Sequence, residues 1–191
     1  MTKLQITIFE IDSPLLARSR RHGDDRGRFC ETWSRRDWKA AGLPDIDWAL
    51  DHTALSATSG TLRGLHFQTP PHAQAKLVRA VRGSIYDAIV DLRSGSSTYG
   101  RAMGLTLDQT DAASLYVPDG FAHAYQTLTP DTLVSYKASY IYAPECEGGL
   151  LWNDQALAIS WPMPNEAVLA ERDTKWPRLA DAGDLSWPSD D

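Results

Sequence analysis

The chain has 191 residues, 42% of them hydrophobic and 23% charged, with a formal net charge of −6, which suits one domain with a sizeable core. The acidic balance argues against a general nucleic-acid or anionic-membrane binder, while leaving room for a local basic pocket that takes a phosphorylated small molecule. No apolar run approaches the roughly 20 residues that span a bilayer, and two cysteines, Cys30 and Cys146, make neither a disulfide framework nor metal-ligand spacing, so a cytoplasmic setting is expected.

Leu4, Ile6 and Ile8 alternate with Gln5, Thr7 and Phe9, which predicts a strand over residues 3–10 rather than a signal peptide. Asp12, Ser13 and Pro14 end it. Residues 22–27 carry turn chemistry and residues 28–33 read as a second short strand. Ser34 followed by Asp37 resembles a helix-capping pair, Trp38, Ala40 and Ala41 fit a short helix, and Gly42 fits its stop. Strands are then expected over 61–68, 76–80, 84–92, 102–107, 114–117, 124–128, 133–142 and 149–152. The most regular, 84–92, sets Tyr86, Ala88, Val90 and Leu92 on one face and Ile85, Asp87, Ile89 and Asp91 on the other. Short strands at even spacing predict an all-β sandwich or barrel. Past Trp161 the expectation is a short helix near 166–172 and an irregular tail from about 175, the whole forming a single domain over 1–191.

Residues 61–68, Thr-Leu-Arg-Gly-Leu-His-Phe-Gln, carry the densest chemical signal. Arg63 and His66 stand three apart, so a flat strand would send them to opposite faces. A kink or bulge at Gly64 would bring both into one cavity. His66 is a candidate general base, because a histidine of ordinary pKa, about 6.5, is largely neutral at pH 7. Such a base needs a carboxylate to fix its tautomer, and Asp173 or Asp91 would serve. Tyr136, Tyr140 and Tyr142 share strand parity, and a protonated phenol among them suits a general acid. Arg26, Arg63, Lys76 and His123 form a cationic set in an acidic chain, suited to a diphosphate or a developing enolate. Taken singly, each of these is more simply a packed ring or a surface charge. Histidines on barrel strands also suggest a metal, but no His-x-His pair exists and His72 follows Pro70-Pro71, so no metal site is expected.

Arg63-Gly-Leu-His66-Phe-Gln, Ala73-Gln-Ala-Lys76-Leu-Val, Val117-Pro-Asp-Gly-Phe-Ala-His123 and Trp152-Asn-Asp154, four motifs in order, resemble the dTDP-4-dehydrorhamnose 3,5-epimerase family from about Asp24 to Asp173. The resemblance implies a cupin-type jelly-roll barrel with a few short peripheral helices. It also implies metal-free, cofactor-free chemistry in a homodimer whose N-terminal strands exchange. It makes His66 the base, Tyr136 the acid, Asp173 the carboxylate that orients the histidine, and Lys76 the holder of the enolate. Arg63 and His123 fall near the diphosphate; Arg26, Phe29 and Glu31 match the nucleotide-contacting segment; Tyr142, Glu147 and Arg172 match further ligand contacts.

Two positions depart from the family pattern. Leu50-Asp51-His52 stands where Gln-Asp-Asn is usual, in the stretch that implies nucleobase contacts by Asp51 and His52. Arg172 stands where lysine is common, which keeps the charge but alters its geometry. The reading is epimerisation at C3 and C5 of dTDP-4-dehydro-6-deoxy-D-glucose to dTDP-4-dehydro-L-rhamnose. The alternatives are an epimerase acting at one of those carbons and a non-catalytic sugar-nucleotide-binding cupin.

Overall fold

The structure, a computed structural model, describes residues 4–11, 13–183, 185 and 187. In chain order the strands are β1 (Leu4–Ile8), β2 (Leu15–Ser19), β3 (Arg21–Asp24), β4 (Gly27–Cys30), β5 (Leu50–Ser56), β6 (Leu62–Gln68) and β7 (Lys76–Arg82). They continue as β8 (Ser84–Asp91), β9 (Ala102–Asp108), β10 (Ala113–Val117), β11 (Phe121–Thr127), β12 (Thr132–Ala138) and β13 (Glu147–Gly149). A six-stranded sheet in the order β1-β2-β10-β7-β12-β5 faces a five-stranded sheet in the order β13-β6-β11-β8-β9. This is the expected jelly roll. Among the described residues no helix is long and apolar enough to cross a membrane.

Burial explains which strands are visible in the sequence. Inner-face residues such as Val78, Ile85, Ile89, Leu115 and Val134 meet between the sheets. The outer face of the five-stranded sheet is covered as well, because Ala88, Val90 and Leu92 pack under Leu157, Trp161 and Trp187 of the C-terminal segment. On the outer face of the other sheet, Leu77 and Tyr116 pack against Trp38 and Leu43. Trp38 belongs to the one α-helix of the described residues, α1 (Arg35–Ala40), whose N-cap Ser34 accepts a bond from the Asp37 N–H.

Several boundaries differ from expectation. β2 was not foreseen, because Leu16 and Ala17 enter different clusters and leave no polar face to alternate with. Strand pairing extends into the supposed turn, so β3 and β4 form a hairpin with only Asp25 and Arg26 at its tip. In place of one helix near 166–172, two short 3-10 helices, Pro164–Glu166 and Glu171–Thr174, flank residues 167–170, which run extended. Val168 bonds Gly60 and Leu62 through backbone groups at 2.9 Å. Tertiary pairing there overrides a local helical pattern. β12 ends at Ala138, so the shared parity of Tyr136 with Tyr140 and Tyr142 has no strand beneath it. Asp12, part of the expected strand stop, lies outside the described residues.

The bulge at Gly64 is the feature of the fold that matters most for the site. On β11, Tyr125 pairs with Arg63 and His123 with His66, so two residues of β6 oppose the single Ala124. Arg63 and His66 thereby face the interior, while Leu62, Leu65 and Phe67 enter the outer cluster. Gly64 has φ +122°, and a Cβ placed there would lie 2.5 Å from both the Ala124 Cβ and the His123 carbonyl oxygen. Gly64→Ala is therefore expected to cost about 3 kcal/mol through positive φ and overpacking. Thermal unfolding should show a midpoint roughly 6–12 °C lower; a midpoint unchanged within 2 °C would contradict this account of the bulge.

Candidate active site

The bulged strand lines one wall of a cavity of about 700 Å³ between the sheets, a size suited to a substantial small molecule. β6 contributes Arg63 and His66, β11 contributes His123 and Tyr125, and β7 contributes Lys76 at its first position. Tyr136 of β12 and His52 of β5 are cross-strand partners, and their rings stack with centroids 4.8 Å apart. Tyr142, Glu147, Arg172 and Asp173 complete the lining from the C-terminal side.

Asp173, almost fully buried, holds His66. Its Oδ1 lies 2.7 Å from His66 Nε2, and its Oδ2 accepts the Gly64 N–H at 3.4 Å. Burial works against the carboxylate charge, but the bonds from His66, the Gly64 N–H and the Trp176 indole together hold its carboxyl below the usual aspartate range. An ionised Asp173 only accepts, so His66 Nε2 carries a proton, and in the neutral ring the lone pair is left on Nδ1. The Gly64 bulge thus aims the histidine and helps hold the carboxylate that orients it.

Lys76 Nζ donates to the His66 carbonyl at 3.2 Å. Burial pushes its ammonium down to about 8, against the attraction of Asp87 and Glu147. Burial likewise raises the Tyr136 phenol above its ordinary range, opposed by the Arg63 charge, so it is protonated at neutral pH. His123 is paired in register with His66, and its Nε2 lies 2.9 Å from Asp87 Oδ1 on the neighbouring β8. At the rim, Tyr142 donates to Glu147 Oε2 at 2.8 Å and Arg172 Nη1 donates to Glu147 Oε1 at 3.2 Å. An acceptor base, a protonated phenol and an ammonium on one cavity can remove a proton beside a carbonyl, hold the resulting oxyanion and return a proton.

The structure brings together His66, Tyr136, Asp173, Lys76, His52, Arg63, His123, Tyr142, Glu147 and Arg172. It does not bring four other expected residues to this cavity. Asp51 is next to His52 on β5, so strand alternation turns it to the opposite face, where it accepts from Lys137 at 2.8 Å. Arg26 bonds Asp24 at the tip of the β3–β4 hairpin, Phe29 of that hairpin is 69% exposed, and Glu31 follows it. Asp91, the other carboxylate considered for His66, accepts instead from Arg93, Ser96 and Thr98. Tyr140 lies against His72 with centroids 4.8 Å apart, away from the cavity lining.

Asp87 and Tyr125 were not foreseen as site residues. Asp87 had a sequence signal, being a carboxylate flanked by Ile85 and Ile89 on the inner face of a buried strand. Tyr125 had none beyond parity with His123, and burial lifts its phenol to about 12.

A family model described as dTDP-4-dehydrorhamnose 3,5-epimerase matches residues 9–181. A Sinorhizobium fredii protein named dTDP-4-dehydrorhamnose 3,5-epimerase is 45% identical over 166 residues, 87% of this chain and 85% of its own. The crystal structure of a Legionella pneumophila epimerase in complex with dTDP-4-keto-L-rhamnose is 31% identical with a TM-score of 0.89, covering 97% of this chain and 98% of that one. A 3'-monoepimerase from Streptomyces bikiniensis, in complex with dTDP-quinovose, is 34% identical with a TM-score of 0.84, covering 90% and 86%.

Proposed function

The chain belongs to the dTDP-4-dehydrorhamnose 3,5-epimerase family, and from that premise we propose that it inverts C3 and C5 of dTDP-4-dehydro-6-deoxy-D-glucose to give dTDP-4-dehydro-L-rhamnose. The observation that carries the reading is the His66–Asp173 pair on one cavity with Tyr136 and Lys76. The C4 ketone acidifies the protons on C3 and C5. His66 Nδ1 takes one, the C–H electron pair moves into an enolate, and the Lys76 ammonium holds the negative oxygen. Tyr136 then gives its proton to the opposite face of the carbon, which inverts the centre, and solvent resets both residues before the second carbon reacts. No cofactor enters these steps. The Arg63 guanidinium and the His123 ring are the groups offered to the diphosphate.

The likeness to the Legionella protein bound to dTDP-4-keto-L-rhamnose supports the substrate class. The likeness to a 3'-monoepimerase supports a second reading, inversion at a single carbon with the same residues. For assembly, we read the chain as one jelly-roll domain that pairs as a homodimer by exchanging N-terminal strands. Exposed Ile8 on β1 and Phe29 on the β3–β4 hairpin support that pairing, which would carry Arg26, Phe29 and Glu31 to the neighbour's cavity. The free thiols Cys30 and Cys146 suit the cytoplasm.

Product analysis tests the reading. After incubation with dTDP-4-dehydro-6-deoxy-D-glucose, borohydride reduction and hydrolysis should release L-rhamnose and its C4 epimer. Sugars inverted at one carbon would move the chain to the second reading. Recovery of 6-deoxyglucose and its C4 epimer alone would overturn both.

A further inference from the structure

Asp173 Oδ1 accepts two donors, His66 Nε2 at 2.7 Å and the indole Nε1–H of Trp176 at 3.3 Å. The Trp176 ring also stands edge-on to His66, with centroids 6.2 Å apart and planes at 69°. Gly149, the β13 residue paired with His66, leaves room for that ring: a Cβ at Gly149 would collide with the indole. The backbone clamps the segment from beside it, since the Leu151 N–H donates to the Pro177 carbonyl at 2.8 Å. Trp176 does not line the cavity, so its contacts are with the base and its carboxylate rather than with a substrate.

We propose that Trp176 is the positioning residue of the His66–Asp173 pair: its indole N–H fixes the Asp173 carboxylate, and through it the tautomer and ring orientation of His66. The catalytic consequence rests on the reading given above. A buried carboxylate with three donors in place has one orientation in which Oδ1 faces His66; removing the indole donor frees it to rotate toward Arg172, whose Nε lies 3.6 Å from the same oxygen. Hydrogen bonds to charged groups are among the stronger ones, and a single bond as long as this one corresponds to roughly a five- to tenfold effect.

The test replaces Trp176 by Phe, which keeps an aromatic ring over Gly149, and by benzothienylalanine, which keeps the indole's shape and lacks only the N–H. The ¹⁵N signals of the His66 ring in the full-length protein, without substrate, should show the Nε2-protonated tautomer in the parent and a mixture in both variants. With substrate, kcat should fall about five- to tenfold with KM unchanged within twofold. In an Asp173→Asn background the same replacements should add less than a twofold effect. A parent-like tautomer and kcat in the benzothienylalanine protein would overturn the proposal. So would a loss that persists undiminished in the Asp173→Asn background. If the parent itself turns over no nucleotide sugar, the proposed function fails, while the substrate-free tautomer measurement still decides the role of Trp176.

Discussion

Replacing His66 by Asn lowers the rate of proton exchange at the sugar carbons by about 10²–10⁴-fold, the range associated with losing a positioned general base. The size of the effect follows from how many features serve this one ring. The bulge at Gly64 turns it inward, and an almost fully buried Asp173 holds its Nε2 at 2.7 Å. Asn retains a donor for that carboxylate, so the substitution avoids leaving a buried charge alone. dTDP affinity should stay within about threefold of the parent, because the ring acts on the sugar and not on the nucleotide. Steady-state turnover with parallel calorimetric titration of dTDP checks both halves. A variant that retains more than a tenth of the parent rate would remove His66 from the role of base.

Lys76→Met has the second largest expected effect, a loss of about 10²–10³-fold in kcat/KM, typical of removing one donor to a developing oxyanion. This residue also sets a pH dependence whose sign is fixed. Burial lowers its pKa to about 8, so the ammonium is present below pH 8 and is lost as the pH rises through that value. The enolate loses its counter-charge over the same interval. In the parent, kcat/KM should fall with an apparent pKa of about 8, well below the lysine range near 10.4; the Met variant should be slow and lack that alkaline limb. Tyr136 does not produce the limb, since burial raises its phenol rather than lowering it. An alkaline limb that survives in the Met variant would assign it to another group.

The sequence carried the site better than it carried the walls around it. Arg63, Gly64 and His66 show by spacing alone that something must break the strand's period, and the bulge does so. Ser34 and Gly42 mark α1 through local chemistry that needs no partner. β5 was missed for a reason tied to its position. Its inward residues are Leu50, His52 and Ala54, which face the cavity rather than a packed core, so His52 interrupts the apolar alternation that would mark the strand. The single helix expected near 166–172 is broken by backbone pairing of Val168 with Gly60 and Leu62, about a hundred positions earlier, which no local pattern encodes. Asp87 bonds His123 of the neighbouring β11, and Trp176, three residues beyond Asp173, turns back onto that carboxylate and the His66 ring; both contacts appear only once the chain is folded.

Solvent exchange in deuterium oxide tests the central claim most directly. With dTDP-4-dehydro-6-deoxy-D-glucose as substrate, NMR should show deuterium entering at both C3 and C5, with neither position labelled by the His66→Asn protein on the same time scale. Label confined to one carbon would restrict the chain to single-centre epimerisation. No label at either carbon, with the nucleotide sugar bound, would contradict the account.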